Sequence, residues 1–428
     1  MPRNRVIYQS EALYVGPSPA TSGHFTDRTQ IGATADPDAT NLVKQLHRIQ
    51  TCNYGFNVER TDVNQFGELA AIDRVILTSP TVSMDFTYLL SNLENERRMG
   101  FTVDGSSTCI KNLLNKTQDE KNYFIKTVGE GRDAFMEAAG GGGDGLNDPS
   151  VIGVGNGFLT SYTTECSVGN FPTVSINVEG LNMAFNAGVS GQTPAISPQS
   201  GVRLSYHYLL PKTTGSVDIG VLSTSTLRPG DMVFHFKKVD AEGRVASDLL
   251  VGAENSYDAP GAKLGDGYQG ASQNSDPYAK IQSYNISLDM GREPIQKLGS
   301  RFAFTREVTF PINVTCTIEA LVADLTTGSL SDIVNCDDSY DITVNLLRPA
   351  NCVSDGATAY KDIFVQYRLK NCKVNSQSFS SDIGSNKSVS LEFSAQIGGP
   401  NQTNMGLFMS GIYEGNSSAF VSDSSASQ

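Results

Sequence analysis

The sequence predicts a mainly β protein: two tandem β-sandwich or barrel-type domains related by internal duplication, with a β-rich insert between them. Three observations predict it. Small and polar residues are abundant, with 41 Gly and no Trp in 428 residues, while long helix-forming stretches rich in Leu, Glu, Lys and Ala are scarce. Apolar and polar residues alternate with a period of two in several segments, as strands with one buried face require. One such segment also occurs twice. "RIQTCNYGFNVERTDVNQFGELAAIDR" (48–74) and "KIQSYNISLDMGREPIQKLGSRFAFTR" (280–306) align without a gap at an offset of 232 residues, pairing Ile49 with Ile281, Gln50 with Gln282, Asn53 with Asn285, Arg60 with Arg292, Gly67 with Gly299, Ala71 with Ala303 and Arg74 with Arg306.

Residues 1–47 form an N-terminal arm, and "DATNLVKQLHRIQ" (38–50) predicts at most two helical turns at its end. The first domain, 48–185, opens with a strand in which Cys52, Tyr54, Phe56 and Val58 face one way and Thr51, Asn53, Gly55 and Asn57 the other. After a loop the pattern returns in Val82, Met84, Phe86 and Tyr88. Residues 59–81, 23 in all, separate the two patterns, where a tight hairpin needs only two to five. Further along, 123–128 predicts a strand, 131–140 a short helix ended by glycine, and the Gly-rich 138–157 a flexible excursion.

The insert, 186–279, holds strand candidates at 202–210, 217–223 and 232–237, followed by an exposed Gly-, Asp- and Ser-rich loop at 252–278. The second domain, 280–414, repeats the apolar phase in Tyr284, Ile286, Leu288 and Met290 and again in Val314, Cys316, Ile318 and Ala320. Strands follow at 340–346 and 363–369. "SDIGSNKSVSLEFSA" (381–395) then echoes "SVGNFPTVSINVEG" (167–180), a loop feeding an alternating strand. Residues 415–428 are a polar tail predicted to be disordered.

Charge and cysteines narrow the function classes. A formal charge of -13 disfavours tight wrapping of nucleic acid, which needs Lys and Arg to displace counterions, but leaves passive contact open. No apolar run reaches the roughly 20 residues of a membrane helix, and the opening residues lack a signal-peptide core, so no membrane association or secretory route is expected. Seven cysteines with no CxxC pair and only four His give a structural zinc site little support. Cys52 and Cys316 fall on apolar strand phases as buried thiols, whereas Cys336, Cys352 and Cys372 are candidates for a disulfide formed after release from a reducing cytosol.

Neither "AGGGGDG" nor "GVGNG" fits a P-loop or a dinucleotide fingerprint, since no GK[ST] and no strand–GxGxxG–helix context is present. No GxSxG elbow or HExxH occurs, His24, His47, His207 and His235 are scattered, and Asp337-Asp338 has no recognisable partner. The sequence offers no catalytic constellation, and no enzyme activity and no cofactor are expected.

The repeated strand–loop–strand units, "RIQTCNYGFNVERTDVNQFGELAAIDRVILTSPTVSMDF" and "KIQSYNISLDMGREPIQKLGSRFAFTREVTFPINVTCTIEA", together with "SQSFSSDIGSNKSVSLEFSAQIGGP", resemble the major tail tube proteins of tailed bacteriophages, in a version with two fused tube domains. The resemblance implies a virion structural protein, assembled in the host cytoplasm, whose strands join a continuous barrel lining a conduit for DNA. It also implies rings of itself, trimeric pseudo-hexamers for a duplicated chain, stacked helically and meeting sheath (in a contractile tail), terminator and baseplate proteins. The polar strand faces would then line the lumen: Asn53, Asn57, Ser83, Asp85 and Thr87 in the first domain, and Ser283, Asn285, Ser287, Asp289, Thr315, Thr317 and Glu319 in the second. Arg60, Arg74, Arg292 and Arg306 sit at matching places on the two long loops, which the resemblance sends toward an adjacent ring. The N-terminal residues and the insert depart from the simple pattern. The alternative is a tail fibre or baseplate module recognising host glycans, although such a module favours exposed Trp and there is none.

Overall fold

The computed structural model describes residues 11–17, 43–115, 119–130, 134, 150–186, 227–229, 232–239, 279–303, 305–322, 330, 339–347, 363–381, 383, 386–413 and 416–417. Its first ten strands are β1 (Glu11–Pro17), β2 (Lys44–Gln45), β3 (Ile49–Asn57), β4 (Thr61–Val63), β5 (Asp73–Val75), β6 (Thr81–Leu89), β7 (Glu120–Thr127), β8 (Ser150–Ser167), β9 (Thr173–Gly180) and β10 (Asn182–Asn186). Two short helices, α1 (Glu94–Met99) and α2 (Lys111–Leu114), lie between β6 and β7. The chain continues with β11 (Met232–Val239), β12 (Ala279–Asp289), β13 (Arg292–Ile295), β14 (Thr305–Val308), β15 (Ile312–Val322), β16 (Ser339–Leu347), β17 (Ile363–Ser380), β18 (Ser388–Ile397) and β19 (Gly406–Tyr413). No helix among the described residues is long and apolar enough to cross a membrane.

Every pairing is antiparallel. The strands β3, β6, β9, β8, β12, β15, β18 and β17 follow one another edge to edge, four from each half of the chain, joined where β8 meets β12. The period-two pattern explains the burial. Val82, Met84, Phe86 and Tyr88 on β6, and Val314, Cys316 and Ile318 on β15, are sealed in the core, while the residues between them face away from it.

Two strands are long enough to serve two sheets. β8 and β17 each run 18 residues: their later parts pair with β9 and β18, and their earlier parts with β7 and β10, or with β16 and β19. Each changes direction at a bulge, between Leu159 and Ser161 or between Val374 and Ser376. Each also carries an Asn in the left-handed region, Asn156 (φ 52°) and Asn371 (φ 57°), a non-glycine type that adopts it comparatively readily. The same device holds both kinks. The backbone N–H of Asn156 donates to Asn122 Oδ1, and that of Asn371 to Asp341 Oδ1.

The halves repeat pairing register as well as sequence. Cys52 pairs with Phe86 and Tyr54 with Met84; 232 residues on, Tyr284 pairs with Ile318 and Ile286 with Cys316. The register shift between Ile49 and Thr51 recurs between Ile281 and Ser283. Even the loop hairpins match, Thr61 with Val75 and Glu293 with Glu307, and both tips turn on a glycine with positive φ, Gly67 and Gly299.

Four expectations need amendment. Residues 43–50, read as helical, instead enter β2 and β3, because their apolar positions face β1 and the core. The N-terminal arm contributes a full strand, β1, against β7. Residues 150–157, read as part of a flexible excursion, begin β8, whose glycines let Tyr123 and Val178 close over Gly157. In the stretch read as an insert, β11 pairs with β16 as β1 pairs with β7, so it belongs structurally to the second half. The strand candidates at 202–210 and 217–223, the loop at 252–278 and most of the helix at 131–140 lie outside the described residues.

Candidate assembly surface

The residues marked by alternation gather on one face of the eight-strand sheet. Polar side chains bond across it strand by strand. Thr51 and Thr87 hydroxyls are 2.7 Å apart, Asn53 Nδ2 donates to Asp85 (2.8 Å), Asn177 Nδ2 to Ser161 (2.7 Å), Ser283 to Glu319 (2.9 Å) and Ser394 to Asn375 (2.7 Å). The ladder crosses the join between halves, where Thr163 and Ser287 hydroxyls lie 3.2 Å apart and Asn285 donates to Glu165 at 3.4 Å. Such rungs contribute about 0.2–1 kcal/mol each and fix register more than they add stability. Asp85, Glu165, Asp289, Glu319 and Glu392 stand on this face with Lys373 among them, so its balance is acidic. The expected set Asn53, Asn57, Ser83, Asp85, Thr87, Ser283, Asn285, Ser287, Asp289, Thr315, Thr317 and Glu319 shares this one face.

The two long loops form hairpin arms with different fates. On the second arm the Arg292 guanidinium is sealed from solvent. It makes a bidentate pair with Asp119 (2.6 and 3.0 Å), donates to Leu159 O (2.8 Å) and stacks 5.3 Å above the Phe158 ring. Arg306 pairs with Glu179, and the Ala303 N–H donates to Ser79 Oγ (3.1 Å), with Ala303 packed on Phe158 and Leu181. All these partners lie in the first half of the same chain. Arg292 and Arg306 are thus held within the chain rather than presented outward.

The first arm stands clear. Arg74 pairs with its neighbour strand's Asp62, at 2.6 Å on an exposed surface, and Arg60 is exposed. Phe66, Leu69, Ile72 and Leu77 project into solvent, Phe66 and Leu69 completely. Among the described residues this arm thus carries bare apolar surface of the kind that marks contact sites.

The outer strands differ from the inner ones in the same way. At the β8–β12 join Ile286 and Leu288 are fully buried; their equivalents on the outer strand β3, Tyr54 and Phe56, are half-buried and 63% exposed. On β17, Phe379 is 42% exposed, while its equivalent on β8, Thr164, is buried against β12. Sequence alternation marks Phe56 as core-facing, and it is. Among the described residues no strand pairs with the outer edge of β3, which leaves it bare.

An open cleft of about 450 Å³ lies where β8 and β12 part, lined by Leu89, Glu165, Cys166, Phe171 and Tyr284 among others. Burial pushes the Cys166 thiol up to about 11, so it rests as the unreactive thiol. Among the described residues Glu165 is the one carboxylate lining the cleft. Of the disulfide candidates, Cys372 is a buried free thiol, and Cys336 and Cys352 lie outside the described residues.

No family model and no curated protein matches the sequence. Among solved structures the chain is similar to one from the anti-feeding prophage baseplate, at 10% identity over 42% of this chain and 92% of that one, with a TM-score of 0.23. It is also similar to one from the virion of a native gene transfer agent particle, at 10% identity over 42% and 97%, with a TM-score of 0.20. At scores this low nothing about the chain's role is drawn from the likeness.

Proposed function

We propose that the protein is a virion structural protein that polymerises into stacked rings, a phage tail tube through which DNA passes. One observation carries the reading: two four-strand units with matching registers are already joined edge to edge inside the chain, leaving one continuous, acidic, polar face with, among the described residues, an unpaired strand edge at each end. A unit that adds to itself in this way makes an endless sheet when copies repeat the operation, and a closed ring has no edges left to aggregate. Three copies would supply six units and a pseudo-sixfold ring. The polar face would line the lumen, where carboxylates repel phosphate and let a duplex slide.

The protein then works by shape and charge without bond chemistry or a cofactor, and its location is the virion, after assembly in the host cytoplasm. The first arm, tipped by Phe66 and Leu69 and flanked by Arg60 and Arg74, is suited to contact between rings, with terminator, sheath and baseplate proteins as further partners. Electron microscopy of the concentrated protein tests the reading: hollow tubes or rings with threefold end views support it. Particles that remain discrete monomers, while binding host-surface glycans, would move the fibre or baseplate module to first place.

A further inference from the structure

Resting on that reading, we propose that the seam between copies is a repeat of the β8–β12 join, made by β17 of one copy and β3 of the next, with a register the chain itself dictates. The equivalences fix it. β3 corresponds to β12, since Cys52↔Phe86 and Tyr284↔Ile318 share an offset of 232 residues. β17 corresponds to β8, since Leu159↔Val178 and Tyr162↔Ile176 recur as Val374↔Phe393 and Gln377↔Leu391, at an offset of 215. Inside the chain Ser287 pairs with Thr163, Ile286 with Thr164 and Leu288 with Tyr162. Carried across, Gly55 of one copy pairs with Ser378 of the next, Tyr54 with Phe379, Phe56 with Gln377 and Asn53 with Ser380.

The chemistry of the two edges fits this register. Tyr54 and Phe379, both partly bare on the core side, become cross-strand neighbours, an aromatic pair of the kind that stabilises sheets. Phe56 gains the cover that Leu288 already has. Gln377 Nε2, buried without a partner among the described residues, lies opposite Phe56 at the new edge. On the polar face Gly55, Asn53, Ser378 and Ser380 continue the ladder that Thr163 and Ser287 carry through the inner join. Both joins are antiparallel, and each uses two different edges, so the contact is heterologous and propagates.

The seams differ in one respect. The inner join is clamped by the second arm on Phe158 and Glu179, but the equivalent positions in the second half are Lys373 and Ser394. Neither offers a seat of that kind to Arg60 or Arg74. At these two positions the seam between copies therefore lacks the seat that Phe158 and Glu179 give the second arm.

The test is cysteine cross-linking of the assembled full-length chain, because directly opposed residues in an antiparallel pair hold their Cα atoms within disulfide range. Gly55→Cys combined with Ser378→Cys, oxidised after assembly, should give a ladder of covalent multimers on a non-reducing gel. The single variants and the natural-cysteine parent should remain mostly monomeric. Asn53→Cys with Ser380→Cys provides an independent second pair should the first disturb folding. Gly55→Cys with Gln377→Cys, which point to opposite faces, should not link. Rings that form while both opposed pairs fail to link, or that link through the mismatched pair, overturn the seam and leave the ring reading standing. A parent that never assembles at any concentration overturns both.

Discussion

The two hairpin arms share register, turn glycine and paired arginines, yet one is clamped and the other is bare. Arg292 has lost all contact with water to Asp119, Leu159 O and the Phe158 ring, while Arg60, at the same place in the repeat, lies in solvent. What distinguishes them is that the second arm meets the first half across the β8–β12 join, whereas among the described residues no such neighbour adjoins the first arm. The clamp depends on Asp119, Phe158 and Glu179 lying beyond the inner join, and the equivalents of the last two are Lys373 and Ser394. Repetition of a fold therefore does not repeat its contacts.

The comparison breaks most visibly at Arg292. Arg292→Ala removes one partner of a buried ion pair and should cost about 3–5 kcal/mol in chemical denaturation, while Arg60→Ala should stay within about 0.5 kcal/mol. Equal effects would mean that the clamp contributes nothing. The edges give the next contrast. Leu288→Ala should destabilise the chain by about 2–5 kcal/mol, whereas Phe56→Ala should change folding by much less and appear instead as weakened self-association in sedimentation.

A third effect depends on pH and lies between the halves. Glu96 on α1 is completely buried, accepting from Tyr88 (2.8 Å) and Tyr162 (3.2 Å), and the Tyr162 and Tyr367 hydroxyls lie 2.8 Å apart. Burial raises its pKa from 4.5 to about 7 against the opposing hydrogen bonds. A raised folded-state pKa means stability is fully present below the unfolded value and is lost as pH climbs through 7, by roughly 3 kcal/mol. Glu96→Gln should flatten that dependence between pH 4.5 and 7 and leave the protein more stable at pH 8; an unchanged profile would place the titration elsewhere. A small effect also belongs to Arg74→Ala, which removes an exposed pair with Asp62 and should cost no more than about 1 kcal/mol.

Much of this was legible in the sequence because alternation reports burial directly. The polar set from Asn53 to Glu319 shares one face since a period of two leaves no other arrangement. The register repeat was readable in Ile49/Ile281 and Gly67/Gly299. β1 was hidden because residues buried in a two-layer structure are apolar on both faces and lose the alternation, as Ala12, Leu13, Tyr14 and Val15 do, whereas β11 was marked at 232–237 and only its pairing with the remote β16 was not. The start of β8 was masked by its glycines, which serve close packing at Gly157 and look like loop composition. The arginine clamp was invisible because Asp119 and Glu179 are remote in sequence from Arg292 and Arg306, and an isolated carboxylate gives no sign of its partner.

The most direct measurement is a cryo-electron microscopy reconstruction of the assembled protein at a resolution that shows strands. The account predicts a closed β-barrel built by repeating the β8–β12 join, with Asp85, Asp289 and Glu319 facing the lumen and Met84, Ile286 and Ile318 facing the wall. A ring whose lumen is lined by another surface, or subunits that meet without pairing β3 to β17, would contradict it.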